Sequence, residues 1–269
     1  MTNPLTPPSP LAGVSRESMK HIRGICFDID DTFSSHGKIT AEAFDSLWAL
    51  KNAGFTLIPV TGRPAGWCDH IARFWPVDAV VGENGAFTFF MHEGKLKRFD
   101  TLPELDAKQA RSKLASLKTD ILAAYPQARF ASDQEYREYD LAIDFCEDVP
   151  RWSEAEIDSL VKFCESRGAI AKISSIHVNT WFGHYTKIDG IRKFLHYAQM
   201  VLGLPIPAFN DYIFVGDSPN DEPMFAAFSQ SVGVANVRPF LSRIKHPPKF
   251  ITASEAGAGF AELARFLQT

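Results

Sequence analysis

Three aspartates occupy four consecutive positions early in the chain, directly after an apolar run. The run from Ile25 to Phe27 has the character of a buried strand, and Asp28, Asp30 and Asp31 follow it. Carboxylates held this close repel one another and are costly to hold together. A divalent cation among them makes the arrangement favourable, and two carboxylates on one side of the chain can act as nucleophile and acid/base. A single aspartate after a strand is more commonly a turn or a helix cap.

Two more apolar segments end in polar residues that complement these carboxylates. They supply a hydroxyl, a guanidinium and further carboxylate and amide oxygens, from Thr61, Gly62 and Arg63 in the first segment and Asp217, Asn220 and Asp221 in the second. In an open parallel sheet, ligands bind beyond the carboxyl ends of the strands, which lie about 4.8 Å apart. We therefore expect these side chains to share one site. All-oxygen ligation predicts Mg²⁺ as the cation.

A lysine near the start of a later helix completes the set. Thr186 and Asp189 have the spacing of a capping box, which places Lys187 in the first helical turn. A cation there is disfavoured by the helix dipole unless an anion lies near. Lys187 is thus either a solvated surface residue or a ligand for an anion. The segment from Ser218 to Asp221 also has capping-box spacing.

The elements that must position these residues alternate along the chain. Short, continuously apolar strands are separated by helical patterns, including one predicted over 65–74, and this alternation indicates a parallel sheet covered on both faces. The stretch from 87 to 185 differs. Its strands alternate polar and apolar residues, a hairpin is predicted at Glu93-Gly94, and two amphipathic helices are predicted over 104–125 and 153–166. This stretch predicts an antiparallel sheet with helices on one face.

The end of the inserted stretch carries polar and aromatic residues just before Lys187. They are candidate substrate contacts, although ordinary strand alternation would also produce them: His177, Asn179, Trp181, His184 and Tyr185. Arg63, Gly62 and Asn84 are further candidates, because they follow the strands of the parallel sheet. The predicted organisation is a disordered tail over 1–20, a discontinuous core over 21–86 and 186–269, and an inserted domain over 87–185.

Composition bounds the class of protein. The 269 residues are 45% hydrophobic with a formal net charge of -4, which is typical of a globular protein with a real core. The sequence has no dense basic run, so a nucleic-acid or anionic-membrane partner is not expected. None of its apolar runs reaches the roughly 20 residues of a membrane span. The four cysteines form neither a CxxC pair nor a zinc spacing, which favours free thiols in a reducing cytoplasm.

Taken together, the segments "DIDDT", "VTGR", "TKIDG" and "GDSPNDEPMF" resemble the four ordered motifs of the haloacid dehalogenase-like phosphohydrolase superfamily. The insertion between the second and third motifs, preceded by "GENGA", is similar to the Cof-like branch, in which a cap lies at that point. The resemblance implies an α/β fold with a Rossmann-like parallel core and an inserted α+β cap. One variation is Asp31, which stands where many members have glycine.

The resemblance also implies a role for each matching residue. Asp28 would be the nucleophile that forms an aspartyl-phosphate, and Asp30 would be the acid/base. Thr61 and Lys187 would hold the phosphoryl oxygens. Mg²⁺ would be bound by Asp28, the backbone carbonyl of Asp30 and Asp217, and Asn220 and Asp221 would support the metal waters and Lys187. The cap would close over the site and select the substrate.

The expected function is a Mg²⁺-dependent phosphatase of a small phosphorylated metabolite, chiefly a sugar phosphate, in a monomer or homodimer. A phosphomutase would use the same intermediate and return the phosphoryl group to a second hydroxyl. A phospho-switch is disfavoured by the large insertion and by the paired Asp28 and Asp30, because a second acid/base serves turnover. A silent binding module is disfavoured because every expected catalytic side chain is present.

Overall fold

The computed structural model describes residues 7–174 and 176–268, which form both strands and helices. The strands are β1 (Ser9–Pro10), β2 (Gly24–Phe27), β3 (Thr56–Pro59), β4 (Ala79–Gly82), β5 (Phe87–His92), β6 (Lys95–Asp100), β7 (Arg129–Phe130), β8 (Asp140–Asp144), β9 (Ile170–Ile173), β10 (His177–Trp181), β11 (Tyr212–Gly216), β12 (Gln230–Gly233) and β13 (Phe250–Ile251). The helices are α1 (Ala41–Asn52), α2 (Ala65–Phe74), α3 (Glu104–Ala124), α4 (Glu154–Ser166), α5 (Lys187–Met200), α6 (Glu222–Ala227) and α7 (Ala256–Gln268). Among the residues so described, no helix is both long enough and apolar enough to cross a bilayer.

The core is a parallel sheet with the strand order β1-β13-β12-β11-β2-β3. Side chains alternate between its faces. Ile25 and Phe27 of β2 pack in the cluster that includes α1 and α7, whereas Cys26 packs in the cluster that includes α5 and α6. A strand buried on both faces reads as a continuous apolar run, which is why these segments show no alternation in the sequence. The predicted α/β fold class is confirmed.

Strand β4 joins this sheet through a parallel bridge between Val60 and Val81 and pairs on its other side with the β5–β6 hairpin. The hairpin turns at Glu93 and Gly94, whose φ values of 51° and 71° are those of a tight hairpin turn. The sequence assigned this hairpin to the inserted cap. In the structure it instead extends the core sheet through antiparallel pairing with β4.

The inserted cap has its own antiparallel sheet, in the order β7-β8-β10-β9. Helices α3 and α4 pack on one face of it, against Val178 of β10 and Ile143 of β8. Neighbouring residues on β10 point to the opposite face, so His177, Asn179 and Trp181 line a cavity that also contains catalytic candidates of the core. The predicted layout of an antiparallel sheet with helices on one face is therefore present.

The N-terminal segment differs from the disordered tail predicted over 1–20. Ser9 and Pro10 form β1, which pairs in parallel with β13 at the outer edge of the core sheet. Leu11 and Met19, in two short 3₁₀ helices, are buried in the cluster that includes α1 and α7. Four prolines among the first ten residues favour disorder, but a few apolar side chains docked on an existing core are enough to order a short segment. Residues 1–6 lie outside the described residues.

Candidate active site

The ends of three adjacent strands bring the candidate catalytic residues to one edge of the sheet. Strand β2 lies between β11 and β3. Asp28 directly follows β2, Asp217 directly follows β11, and Thr61 lies just beyond β3. The backbone N–H of Asp28 donates to the Val215 carbonyl at 2.9 Å, so the strand ladder fixes the position of this aspartate. The parallel sheet thus assembles residues that are almost 190 positions apart in the sequence.

Lys187 is an internal cation of this site. Helix α5 begins at this residue, and the Thr186 hydroxyl caps the helix by accepting from the Asp189 N–H at 3.3 Å. The Lys187 Nζ donates to Asp28 Oδ1 at 2.6 Å and to Asp221 Oδ1 at 3.0 Å. Burial by itself would lower the pKa of Lys187, but the Asp221 and Asp28 carboxylates raise it above its usual range. The lysine therefore stays charged, and its anionic partners are the reason that the first turn tolerates it.

Three buried carboxylates lie together, and two of them, Asp28 and Asp221, contact Lys187. Oxygens of Asp28, Asp217 and Asp221 lie within 4.8 Å of one another. Burial raises the pKa of Asp28 to about 7; Lys187 opposes this shift, and the carboxylates of Asp221 and Asp30 add to it. Burial also raises the pKa of Asp217 well above its usual range, reinforced by Asp221 and Asp28. Such a cluster is costly without more positive charge than one lysine provides.

Two neutral side chains orient Asp217, and the sequence prediction did not include either. The Thr32 hydroxyl donates to Asp217 Oδ1 at 3.1 Å, and the Asn236 Nδ2 donates to Asp217 Oδ2 at 3.3 Å. Asn236 also donates to the Asp31 carbonyl and accepts from the Ala256 N–H. Asn236 follows β12, so the rule that finds polar residues after strands could have identified it.

Asp221 links Lys187 to the backbone of Asp217. Its Oδ2 accepts from the Asp217 N–H at 3.1 Å while its Oδ1 accepts from Lys187, so both of its oxygens are occupied. The predicted capping box from Ser218 to Asp221 is wrong, because the Ser218 hydroxyl donates to Asn220 Oδ1 at 2.8 Å instead. The Asp221 carboxylate instead accepts from Lys187, the partner that the family resemblance implied and that the local spacing does not reveal. Asn220 itself lines the cavity.

Asp30, the candidate acid/base, is held by Arg63. The Arg63 Nε donates to both carboxylate oxygens of Asp30, at 3.2 and 3.0 Å, and its Nη2 donates to Asp30 Oδ1 at 2.7 Å. The guanidinium also lies over the Trp67 ring at 4.5 Å from the ring centre. Arg63 thus contacts the acid/base candidate directly.

The turn after β3 packs against the "GENGA" segment. The fully buried Thr61 accepts from the Arg63 N–H through its hydroxyl, at 3.0 Å, and its carbonyl accepts from the Asn84 N–H at 3.1 Å. A side chain at Gly62 would lie 3.3 Å from Asn84 Oδ1, so glycine allows this close approach. Within the described residues, the buried Asn84 Nδ2 has no hydrogen-bond partner, and Asn84 lines the cavity. Its amide is therefore a donor that a ligand can satisfy.

Glu83, beside this turn, joins the core to the cap. Its carboxylate is completely buried and accepts from the Ala65 N–H of α2 at 3.0 Å. It also accepts from the N–H groups of Glu138 and Tyr139, which immediately precede β8 in the cap. One carboxylate thus satisfies backbone donors of both parts of the molecule. In the sequence, Glu83 was noted only as part of the "GENGA" segment, and its contacts with both core and cap were not predicted.

The cavity above the cluster has a volume of about 910 Å³ and lies between core and cap. Of the predicted cap contacts, Asn179, Trp181 and His177 line it. His177 Nε2 also lies 2.8 Å from Glu147 Oε2. His184 is exposed and is not part of the lining, so the structure does not place this predicted contact in the site. Tyr185 is buried behind the lining, with its ring stacked on Trp181 at 5.8 Å between ring centres.

Comparisons with known proteins agree with this architecture. The model of the haloacid dehalogenase-like hydrolase family matches residues 25–144. No curated protein matches the sequence. A solved structure from Thermoplasma acidophilum is 21% identical, with a TM-score of 0.68, over 92% of this chain and 99% of that one.

Two other solved structures have the same fold. The sucrose-phosphatase from Synechocystis, solved with sucrose and phosphate, is 18% identical with a TM-score of 0.62, over 92% of this chain and 98% of that one. A protein of the haloalkanoate (HAD) enzyme superfamily from Bacteroides thetaiotaomicron is 19% identical with a TM-score of 0.61, over 96% and 100%. The chain therefore matches the predicted family, the haloacid dehalogenase-like hydrolases, in sequence over residues 25–144, and it shares the fold of this superfamily member along its length.

Proposed function

We propose that the protein is a Mg²⁺-dependent phosphatase that hydrolyses a small organophosphate, a sugar phosphate by preference, through an aspartyl-phosphate on Asp28. The observation that carries the proposal is the position of Asp28. It is buried at a strand end, 2.6 Å from the Lys187 ammonium, and it faces a cavity large enough for a phosphorylated metabolite. The family match supports a hydrolase.

The charge of the carboxylate cluster fits a divalent cation. Three carboxylates and one ammonium leave two negative charges when all are ionised. Asp28, Asp217 and the Asp30 carbonyl would hold the ion. Asp221 would support them by binding Lys187 and the Asp217 N–H, which already occupy its two oxygens. Asn220 would contact its waters. Bound Mg²⁺ would supply positive charge to the phosphoryl oxygens.

The chain's own residues divide the chemistry between them. An Asp28 oxygen attacks phosphorus, and the bond from phosphorus to the ester oxygen breaks as Asp30 gives that oxygen a proton. In the second half, Asp30 takes a proton from water, which attacks phosphorus and releases Asp28 and inorganic phosphate. Lys187 and Thr61 hold the phosphoryl oxygens throughout. This arrangement supplies the positioning and charge neutralisation on which phosphoryl transfer depends.

The cap side of the cavity supports a polar, ring-shaped substrate. On the cap side of the lining, Asn179 offers an amide oxygen and Trp181 a flat ring. A solved structure with this fold is a sucrose-phosphatase bound to sucrose and phosphate, which supports a sugar phosphate as the substrate class. We also propose a cytoplasmic enzyme, monomeric or homodimeric. Free, buried thiols at Cys26, Cys68 and Cys164 support the reducing compartment.

The test is hydrolysis of p-nitrophenyl phosphate with Mg²⁺ by the wild type and by Asp28→Asn. The substitution keeps the shape of the side chain but removes the attacking charge, so we expect activity near background with the fold retained. A variant that kept more than about a tenth of wild-type turnover would have lost under roughly 1.4 kcal/mol of barrier reduction. That result would remove Asp28 from the nucleophile role. A panel of phosphorylated metabolites then identifies the substrate.

A further inference from the structure

A row of oppositely charged side chains runs from the candidate acid/base into the cap. Arg63 binds Asp30 and also lies 3.8 Å, measured from its Nη1, from Asp133 Oδ2 of the cap. Arg137 donates to Asp133 Oδ1 from its Nε at 2.9 Å and to Oδ2 from its Nη2 at 3.2 Å. The Arg137 Nη1 then donates to Asp140 Oδ1 at 2.9 Å. Each charge in the row has an opposite charge beside it.

The row becomes more buried toward the cap. The exposed fraction of the side chain falls from 36% at Asp30 and 15% at Arg63 to 11% at Asp133 and 2% at Arg137. Arg137 also donates to the Gly62 carbonyl at 3.0 Å, so the cap is anchored on the turn that carries Thr61 and Arg63. Opposite charges this well buried hold one another in defined positions, because leaving either one unpaired is strongly destabilising.

The far end of the row reaches the wall of the substrate cavity. Asp140 Oδ2 accepts from the Asn179 Nδ2 at 3.0 Å, and Asn179 lines the cavity. The polar contacts from Asp30 to Asn179 are therefore continuous.

At the other end of the row, Asp30 is subject to a chemical constraint. Arg63 occupies both oxygens of Asp30, yet a general acid needs one oxygen turned to the leaving group of the substrate.

We propose that Asp133 is a positioning residue that shares Arg63 with Asp30, and that Arg137 holds Asp133 in place for this purpose. Arg63 can turn one of its nitrogens from Asp30 to Asp133, which frees an Asp30 oxygen for the substrate. The docked cap, which carries Asp133, thereby controls the availability of the acid. The inference rests on the proposed phosphatase function for the role of Asp30.

The catalytic test compares Asp133→Asn with wild type on two esters, p-nitrophenyl phosphate and phenyl phosphate. Phenolate is the poorer leaving group and needs its proton more. Without the Asp133 charge, Arg63 stays on Asp30. We expect kcat/KM, which reports departure of the leaving group, to fall by about 10-fold or more for phenyl phosphate and by less than about 3-fold for p-nitrophenyl phosphate.

The control variant is Asp120→Asn, which breaks an ion pair in the cap between Asp120 Oδ2 and Arg167 Nε, 3.0 Å apart; neither residue lines the cavity. It should leave both kcat/KM values unchanged. A merely structural role for Asp133 would slow the two esters by the same factor. Equal losses, or no loss, in Asp133→Asn would overturn the proposal.

A second measurement needs no catalysis. Asp30→Asn, Asp133→Asn and the double variant are unfolded in urea in the presence of chelator. If both carboxylates share Arg63, the shifts of the urea midpoint are not additive, because removing one strengthens the remaining pair. Additive shifts would overturn the sharing of Arg63. A wild type without aryl phosphatase activity would refute the proposed function, and the urea cycle would still decide whether Arg63 is shared.

Discussion

Removal of the Lys187 charge is the perturbation that most directly tests the electrostatics of the site. Lys187→Met keeps an unbranched apolar side chain of similar length and deletes the ammonium that lies 2.6 Å from Asp28 and 3.0 Å from Asp221. At an effective dielectric constant near 20, two unit charges about 3 Å apart attract by roughly 5 kcal/mol. Breaking a buried pair by removing one partner typically costs about 3–5 kcal/mol, because the remaining charge is uncompensated.

We therefore expect the free energy of unfolding in chelator at pH 8 to fall by about 3–5 kcal/mol in Lys187→Met. The deficit should shrink toward pH 6. Asp28 already has a pKa of about 7, and without Lys187 that pKa rises further, so the folded variant takes up a proton as the pH falls. Saturating Mg²⁺ should recover part of the loss, about 2.7 kcal/mol at a concentration 100 times Kd.

The assay is urea unfolding followed by circular dichroism, at both pH values and with and without Mg²⁺. Lys172→Met is the matched control: this lysine also lines the cavity, but it is exposed and forms no ion pair within the described part of the chain. Surface changes of that kind usually stay within about 0.5 kcal/mol. A deficit below about 1 kcal/mol for Lys187→Met at pH 8 would refute the claim that Lys187 neutralises buried carboxylates.

Three further outcomes are expected. Activity should vanish in chelator and return with Mg²⁺ but poorly with Ca²⁺, which prefers more ligands at longer distances; full activity in excess chelator contradicts the metal site. Burial and the nearby Asp140 raise the pKa of Glu83 from 4.5 to about 8, so wild-type stability should fall as the pH rises between these values, where the folded state holds a proton that the unfolded state has released; Glu83→Gln should flatten this slope in urea midpoints. Trp181→Ala should reduce selectivity for the best metabolite over p-nitrophenyl phosphate by about 10-fold, whereas His184→Ala, outside the cavity, should not; wild-type selectivity in Trp181→Ala would mean that Trp181 does not contact the substrate.

The sequence predicted which edge of the sheet carries the candidate catalytic residues, because that information is local. Asp28, Thr61 and Asp217 each follow an apolar strand, and parallel strands place their carboxyl ends together whatever the rest of the fold does. Lys187 was placed correctly in the first turn of α5 for the same reason, because Thr186 marks the start of that helix.

The partners of these residues were not predictable in the same way. Arg137 meets Gly62 across 75 positions of sequence, and Glu83 meets Tyr139 across 56, so both contacts depend on how the cap docks. The contact of Asp221 with Lys187, 34 residues away, was implied only by the family resemblance, because the local spacing around Asp221 indicates a helix cap instead. Such contacts belong to tertiary structure, and no local period or spacing encodes them.

Asp31 stands where many members of the resembled family have glycine, and the structure explains this variation. Its φ of 56° lies in the left-handed region, which glycine adopts most readily and which aspartate tolerates better than branched residues. The glycine expected here from the family resemblance is thus a backbone requirement. Aspartate meets the requirement at a modest conformational penalty and adds one more carboxylate to the cavity wall.

The edges of the extended core sheet bear on the solubility of the protein. A sheet edge offers unpaired backbone groups to which a second molecule can add a strand. At one edge, β6 carries Lys95 and Lys97, whose charges oppose such addition. At the other edge, β1 is two residues long, and Pro10 has no N–H to donate. The N-terminal segment therefore protects Phe250 and Ile251 of β13 from intermolecular strand pairing, and a truncation that removed it would expose a template for aggregation.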